Sequence, residues 1–396
     1  MLLIVMKFYM FLIYEILKKK FCNEIKKNFF YITLLNYAAT VDNELLHLLL
    51  SYNGVKIGKF CFSFNTQLTE IVIPSTVTYI GHYAFHCCKS LKRIIIPNSV
   101  IQIRYSAFLR CESLEHISIP SSVTEIEVKA FEGCPLKDIL IPSSITSISS
   151  GLFKNNASLK KINIPSSINT IYSSAFCHCE SLNEVKFEKN SSLTDICLYA
   201  FSSCISLKQI SIPSSVKKIN EYAFSNCLSL EKVIFEYPTQ IESFENHVFF
   251  NCQSLVQISI PNSVKIIDSY AFQGCTSLKK MSIPSSVSSI NQYAFSFCSS
   301  LGQISFENPS PLKLIANFTF YKCTSLSKIS LPLNISSIGE NAFGECLSLK
   351  KITIPSLVIS IGENAFQDCR SLEKVELKSK HVSIGENAFP SKTEVL

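Results

Sequence analysis

The chain has 396 residues, 47% of them hydrophobic and 17% charged, and a formal net charge of +7. That apolar content excludes an intrinsically disordered chain. The charge excludes a dedicated nucleic-acid binder, which carries a dense basic patch: seven lysines and four acids in residues 1–56 supply +3, leaving +4 for the other 340 residues.

Residues 1–56 read as an apolar and basic N-terminal segment followed by a cap. Residues 1–17 are apolar but interrupted by Lys7 and Glu15, and Lys18, Lys19 and Lys20 follow the run. A signal peptide carries its basic residues before the apolar stretch, so this order is wrong for one. The run is slightly short for a spanning helix. If inserted, it would anchor the chain with its basic flank on the cytoplasmic side. Membrane association through residues 1–17 therefore stands open beside a buried cap. A cap over residues 28–56 is expected, with a helix that Asp42 opens and that runs through Glu44, Leu45, Leu46, Leu48 and Leu49.

From residue 57 to residue 389 one pattern repeats: I-x-x-x-A-F-x-x-C-x-S-L-x-x-I-x-I-P-S-S-V. A clear copy runs from Ile267 through Ala271, Phe272, Cys275, Ser277, Leu278, Ile283 and Pro284 to Val287. Its lead residue recurs fifteen times between Ile57 and Ile384, as Phe244 in one copy. The usual step is 23 residues; it is 22 after Ile126 and 25 before Ile196, Phe244 and Ile315. A period of this length predicts a solenoid in which each unit buries its apolar residues against its neighbours. The expected fold class is an α/β repeat solenoid of about fifteen units.

Within a unit, L-x-x-I-x-I ends in the alternation of a short strand. The proline that follows cannot donate to a ladder and ends it. S-S-V-x-x-I predicts a second short extended piece, and A-F-x-x-C a short helix or 3₁₀ turn. In the three 25-residue units I-P-S-S gives way to Phe187-Glu188-Lys189-Asn190, Phe235-Glu236-Tyr237-Pro238 and Phe306-Glu307-Asn308-Pro309. The added residues should bulge from one edge.

Seventeen cysteines invite a disulfide framework. Twelve of them, from Cys88 to Cys369, share one repeat column, in which Asn65 and Asn156 also stand. Cysteine and asparagine have in common compactness and a group that donates a hydrogen bond, which predicts an inward ladder of free thiols. Coils stacked about 5 Å apart leave cross-coil bridges open as well. The last strand, Leu372 to Leu377, carries Glu373, Lys374 and Glu376, and residues 390–396 read as a polar tail.

The recurrence together of A-F, C-x-S-L and I-P-S-S over residues 57–389 resembles the BspA-like branch of leucine-rich repeats. The resemblance implies a right-handed solenoid with a parallel β-sheet along one face and short helical, 3₁₀ and extended segments on the other. It also implies an adhesin-like surface or secreted antigen of the kind found on mucosa-dwelling bacteria and protozoa. Its partner would be a protein ligand such as a host matrix or cell-surface protein. The family has no catalytic motif to carry over. An intracellular protein–protein interaction scaffold, hence a cytoplasmic location, is the alternative.

The residues point away from chemistry. Phosphate-cradling glycine loops, nucleophile elbows and H-E-x-x-H are missing from the sequence. His86-Cys87-Cys88 and Cys177-His178-Cys179 look like ligand clusters, but at four coils apart, about 20 Å, they cannot share a metal ion. No catalytic residue, metal or cofactor is expected. The outward strand positions carry more signal: Gln209 and Ser211, Gln257 and Ser259, Lys280 and Ser282, Gln303 and Ser305, Lys328 and Ser330, Lys351 and Thr353. These form a polar, mildly basic stripe suited to an extended or acidic partner, and Ile95, Leu140 and Ile234 break it in other units. N-x-S/T sequons stand at Asn156, Asn190, Asn317 and Asn334, and Asn190, in a bulge, is the best glycosylation candidate.

Overall fold

The computed structural model describes residues 56–396. The expected cap, the helix at Asp42 and the apolar run of residues 1–17 lie outside the described residues. Two compact units divide the chain, with their boundary between Ile145 and Thr146.

Each repeat makes one coil. The coil closing on Ile290 is representative. Its short strand is Ile266–Ile267 and its long strand is Lys280–Ile283. Pro284 accepts a hydrogen bond from the Val287 amide at 3.1 Å, which turns the chain back toward the next short strand. Short strands pair with short strands and long with long, always parallel and one repeat apart. The described residues hold fifteen short strands, four in the first unit and eleven in the second. The second extended piece predicted from S-S-V-x-x-I is thus a ladder of its own.

The expected helical segments are corrected: the described residues contain no helix. The reason lies in where the A-F-x-x-C amides point. Tyr270, Phe272 and Gly274 donate to Gln292, Ala294 and Ser296 of the next coil, at 3.2, 2.8 and 2.9 Å. The amides between them, of Ala271, Gln273 and Cys275, donate within the turn to Asp268, Tyr270 and Phe272. Alternate amides therefore leave the segment, and an α-helix would need all of them. Two residues per coil adopt the left-handed region, here Tyr270 at φ 61° and Gly274 at φ 74°.

The interior is columnar. In the first unit Phe62, Phe85, Phe108 and Phe131 stack with ring centroids 4.9–5.4 Å apart. In the second, the column from Phe153 to Phe389 is spaced at 5.0–5.7 Å. A coil rise near the strand spacing of about 4.8 Å sets this contact, and rings offset at such distances attract one another. Ala271, Leu278, Met281, Ile283, Val287 and Ile290 fill the space beside Phe272, each at most 3% exposed.

All sixteen described cysteines are free thiols. Each of the twelve column cysteines donates Sγ–H to the carbonyl of the phenylalanine one coil back, at 2.9–3.3 Å. Asn65 serves the same corner differently: its Oδ1 accepts from the amides of Gln67 and Leu68, both at 3.0 Å.

The bulges stand where the 25-residue units place them. Glutamate in place of proline restores an amide, and Glu188, Glu236 and Glu307 donate to Ile164, Ile212 and Ile283 at 2.9–3.0 Å. The ladder gains one rung before the chain turns out. The tail of residues 390–396 also joins the ladder. Glu394–Val395 is a strand that pairs with Lys374–Leu377, the Leu396 amide donating to Val375 at 2.9 Å.

Candidate binding face

Side chains alternate across a strand, so the alternate apolar residues of each long strand, isoleucine in most, turn toward the core and the residues beside them leave it. All twelve predicted face residues point outward in the second unit. Lys280–Ile283 and Lys351–Ile354 show strict exposed–buried alternation. Gln209 lies opposite Lys232 and Ser211 opposite Ile234; Lys232 lies opposite Gln257. Lys280 and Ser282 lie opposite Gln303 and Ser305, and Gln303 opposite Lys328. Ile234 interrupts the polar row at 38% exposure. In the first unit Val72 and Ile95 face each other across the ladder, both exposed, and Leu140 is exposed too.

Two shallow troughs follow this face. One of about 750 Å³ is lined by Glu184, Lys186, Lys208, Gln209, Ser211, Glu231, Lys232, Ile234, Glu236 and Gln257 among others. A second of about 450 Å³ includes Ser259, Lys280, Ser282, Gln303, Ser305 and Glu307. The sequence reading omitted the charged lining of the first, although Lys186 and Lys232 occupy the same repeat positions as the predicted residues. The signal was available in those columns and was obscured by the apolar Ile234 next to Lys232.

Charge is arranged unevenly along the face. Lys161 and Lys186 both close on Glu184 at 2.7 Å. Their hydrogen bonds hold the Glu184 carboxyl down to about 2. Ser211 donates to Glu236 at 3.2 Å. Glu188 and Glu307 reach back to the amides of Ser166 and Ser285 at 3.0 and 3.2 Å, fixing the bulge edges.

His86 and His247 lie away from this face. His86 Nε2 lies 3.3 Å from Cys87 Sγ and its Nδ1 3.4 Å from Ser63 Oγ. His247 is sandwiched between the rings of Tyr222 and Tyr270 at 4.3 and 4.4 Å, and burial lowers its pKa. Among the described residues no three His, Cys, Asp or Glu side chains are grouped to hold a metal ion. No helix there is long and apolar enough to cross a membrane. Asn190 is exposed in its bulge with φ 59°, and Asn156 is fully buried.

Parallel coils of this length, with a buried Phe column, a Cys corner ladder and one polar strand face, define a leucine-rich-repeat solenoid. Residues 23–160, 146–237, 234–311 and 304–395 match the BspA type leucine rich repeat region. The chain belongs to that family. A leucine-rich repeat protein from Bacteroides ovatus is 32% identical, with 83% of this chain and 91% of that one covered and a TM-score of 0.67. A leucine rich cell surface protein from Faecalibacterium prausnitzii is 31% identical over 82% of this chain and 83% of its own, with a TM-score of 0.49. The pneumococcal vaccine antigen PcpA is 23% identical over 87% and 86%, with a TM-score of 0.53, and shares the fold. No curated protein matches the sequence. Leucine-rich-repeat solenoids are typically non-enzymatic scaffolds that bind proteins, and no catalytic family is indicated for this chain.

Proposed function

We propose that this protein is an adhesin-like surface or secreted antigen that binds a host matrix or cell-surface protein through the outward face of its long strands. The observation that carries the reading is the polar row from Gln209 to Thr353, in register across the strands that pair and interrupted at Ile234. It offers hydroxyl, amide and ammonium groups over seven consecutive coils. Such a row suits an extended partner, since each coil repeats the same contact at about 4.8 Å. Family membership supports a binding role, and the exposed Asn190 sequon is compatible with passage through a secretory route.

A second reading, an intracellular interaction scaffold, is favoured by the sixteen free thiols. An antibody to the solenoid, applied to intact and to permeabilised cells with surface protease alongside, separates the two. Labelling of intact cells that protease removes supports display, and a glycan on Asn190 points the same way. Labelling only after permeabilisation overturns display in favour of the scaffold.

A further inference from the structure

The strand face changes character along the second unit. Lys161 and Lys186 share Glu184 as a counter-ion. Farther on, Lys280, Lys328, Lys351 and Lys374 stand at outward positions of four long strands, and Lys279 and Lys350 are exposed immediately before two of them. None of them has an acid within 4.0 Å among the described residues. Lys280 and Lys328 flank Gln303 in register, and Lys351 lies directly opposite Lys374, whose other in-register neighbour is Glu394. Like charges placed opposite each other across a ladder destabilise it. Glu307, Glu373 and Glu376 border the row. Glu307 is engaged by the Ser285 amide, and Glu376 meets Lys378 at 3.6 Å and the Thr353 hydroxyl at 3.4 Å.

We propose that this lysine row binds a linear sulfated polysaccharide. The repulsion within the row is relieved by an anionic polymer lying along it, with a charge near each ammonium group. Lys280 and Lys328 are two coils apart, or about 10 Å at strand spacing, so a chain bearing a sulfate on every ring or every second ring reaches both. Beside the ammonium groups run the hydroxyls of Ser282, Ser305, Ser330 and Thr353 and the amide of Gln303. These small donors and acceptors suit ring hydroxyls.

Two competing occupants fit less well. Single-stranded nucleic acid is held by aromatic side chains on which bases stack, and the outward positions of these strands are Lys, Gln, Ser and Thr. A peptide that adds to a sheet needs an open edge, whereas the main-chain groups of Lys280–Ile283, Gln303–Phe306 and Lys328–Ile329 pair with one another, as do those of Lys351–Ile354 and Lys374–Leu377.

The inference rests on the long-strand face being the contact surface. Its test uses purified full-length chain, so it can fail while surface display stands, and it can hold for a cytosolic protein. Binding of a fluorescent heparin oligosaccharide is measured by anisotropy for the wild type and for a variant with Lys279, Lys280, Lys328, Lys350 and Lys351 changed to Gln. A control variant carries Lys89→Gln, Lys265→Gln and Lys322→Gln, three lysines already in ion pairs and outside the long strands. Circular dichroism confirms that each variant is folded, and Lys328→Gln alone stands in if the multiple variant is not. Kd should rise at least about tenfold in the five-lysine variant, rise with added salt, and change less than about threefold in the control. Desulfated heparin, poly-glutamate and oligo-dT should each bind at least about tenfold more weakly than heparin. Heparin affinity unchanged by loss of the five lysines, or unchanged by desulfation, overturns the proposal. Poly-glutamate or oligo-dT binding as tightly as heparin also overturns it and reassigns the row to an acidic peptide or a nucleic acid.

Discussion

The thiol of Cys298 donates its hydrogen bond to the main-chain carbonyl of Phe272, one coil back, at 3.1 Å. The contact joins the corner ladder to the aromatic column, since Phe272 stacks on Phe295 at 5.2 Å and the Cys298 amide donates to Phe295. Burial pushes the Cys298 thiol up to about 12, against an ordinary value near 9.

Protonated, enclosed thiols are poor nucleophiles. In the folded protein the column cysteines should resist a thiol-reactive disulfide reagent at pH 8 and react fully once urea unfolds the chain. Rapid labelling of Cys298 in the native state, read by mass spectrometry, would contradict the burial seen here.

The same shift sets a pH limit. Burial raises the folded-state values of Cys88, Cys227 and Cys298 to about 12, so above the unfolded value near 9 the folded chain holds protons that the unfolded chain has lost. Stability is therefore fully present below pH 9 and falls as pH rises toward 12, by up to about 1.4 kcal/mol per pH unit for each thiol. Urea midpoints should be flat between pH 7 and 8.5 and decline above 9. A midpoint independent of pH up to 10 would refute this coupling.

Phe272→Ala removes a fully buried ring from the middle of its stack. The expected loss is about 3–5 kcal/mol, from transfer and cavity together. Equilibrium urea unfolding of the variant measures it; a loss below about 1 kcal/mol would mean that the column relaxes to fill the gap.

Gly274 holds φ 74°, and a Cβ there would meet the Asn251 Cα at 3.4 Å. Gly274→Val places a β-branched residue in the left-handed region and should cost about 1–3 kcal/mol. Gly274→Asn, a side chain already tolerated at Asn226 and Asn251 in the same column, should cost less. Thermal melts of the two variants should separate in that order.

Glu307→Ala deletes the carboxylate that accepts from the Ser285 amide. Because the contact is exposed, the global cost should stay below about 1 kcal/mol. The local effect should appear as faster amide exchange at Ser285 and Ser286. Exchange unchanged there would show that the carboxylate does not fix this edge.

The coil is legible in the residues alone because its rules are local. The 23-residue period, the inward isoleucines, the Phe column and the Cys column follow from which side chains recur and which shun water. The outward Lys280 and Ser282 follow from strand alternation. The turn was misread because Ala271 and Phe272 carry no mark of where their amides go: Phe272 donates to Ala294, 22 residues away, so only the stacked neighbour decides against a helix. The same holds for charge. Lys161 and Lys280 occupy equivalent strand positions, yet Lys161 meets Glu184 of the next coil at 2.7 Å while Lys280 has Gln303 opposite it, because ion pairing depends on which side chain the next coil sets alongside. Residues 394–395 became a strand for a like reason: short polar segments pair when an open ladder edge at Lys374–Leu377 is within reach, and tertiary structure alone supplies that edge.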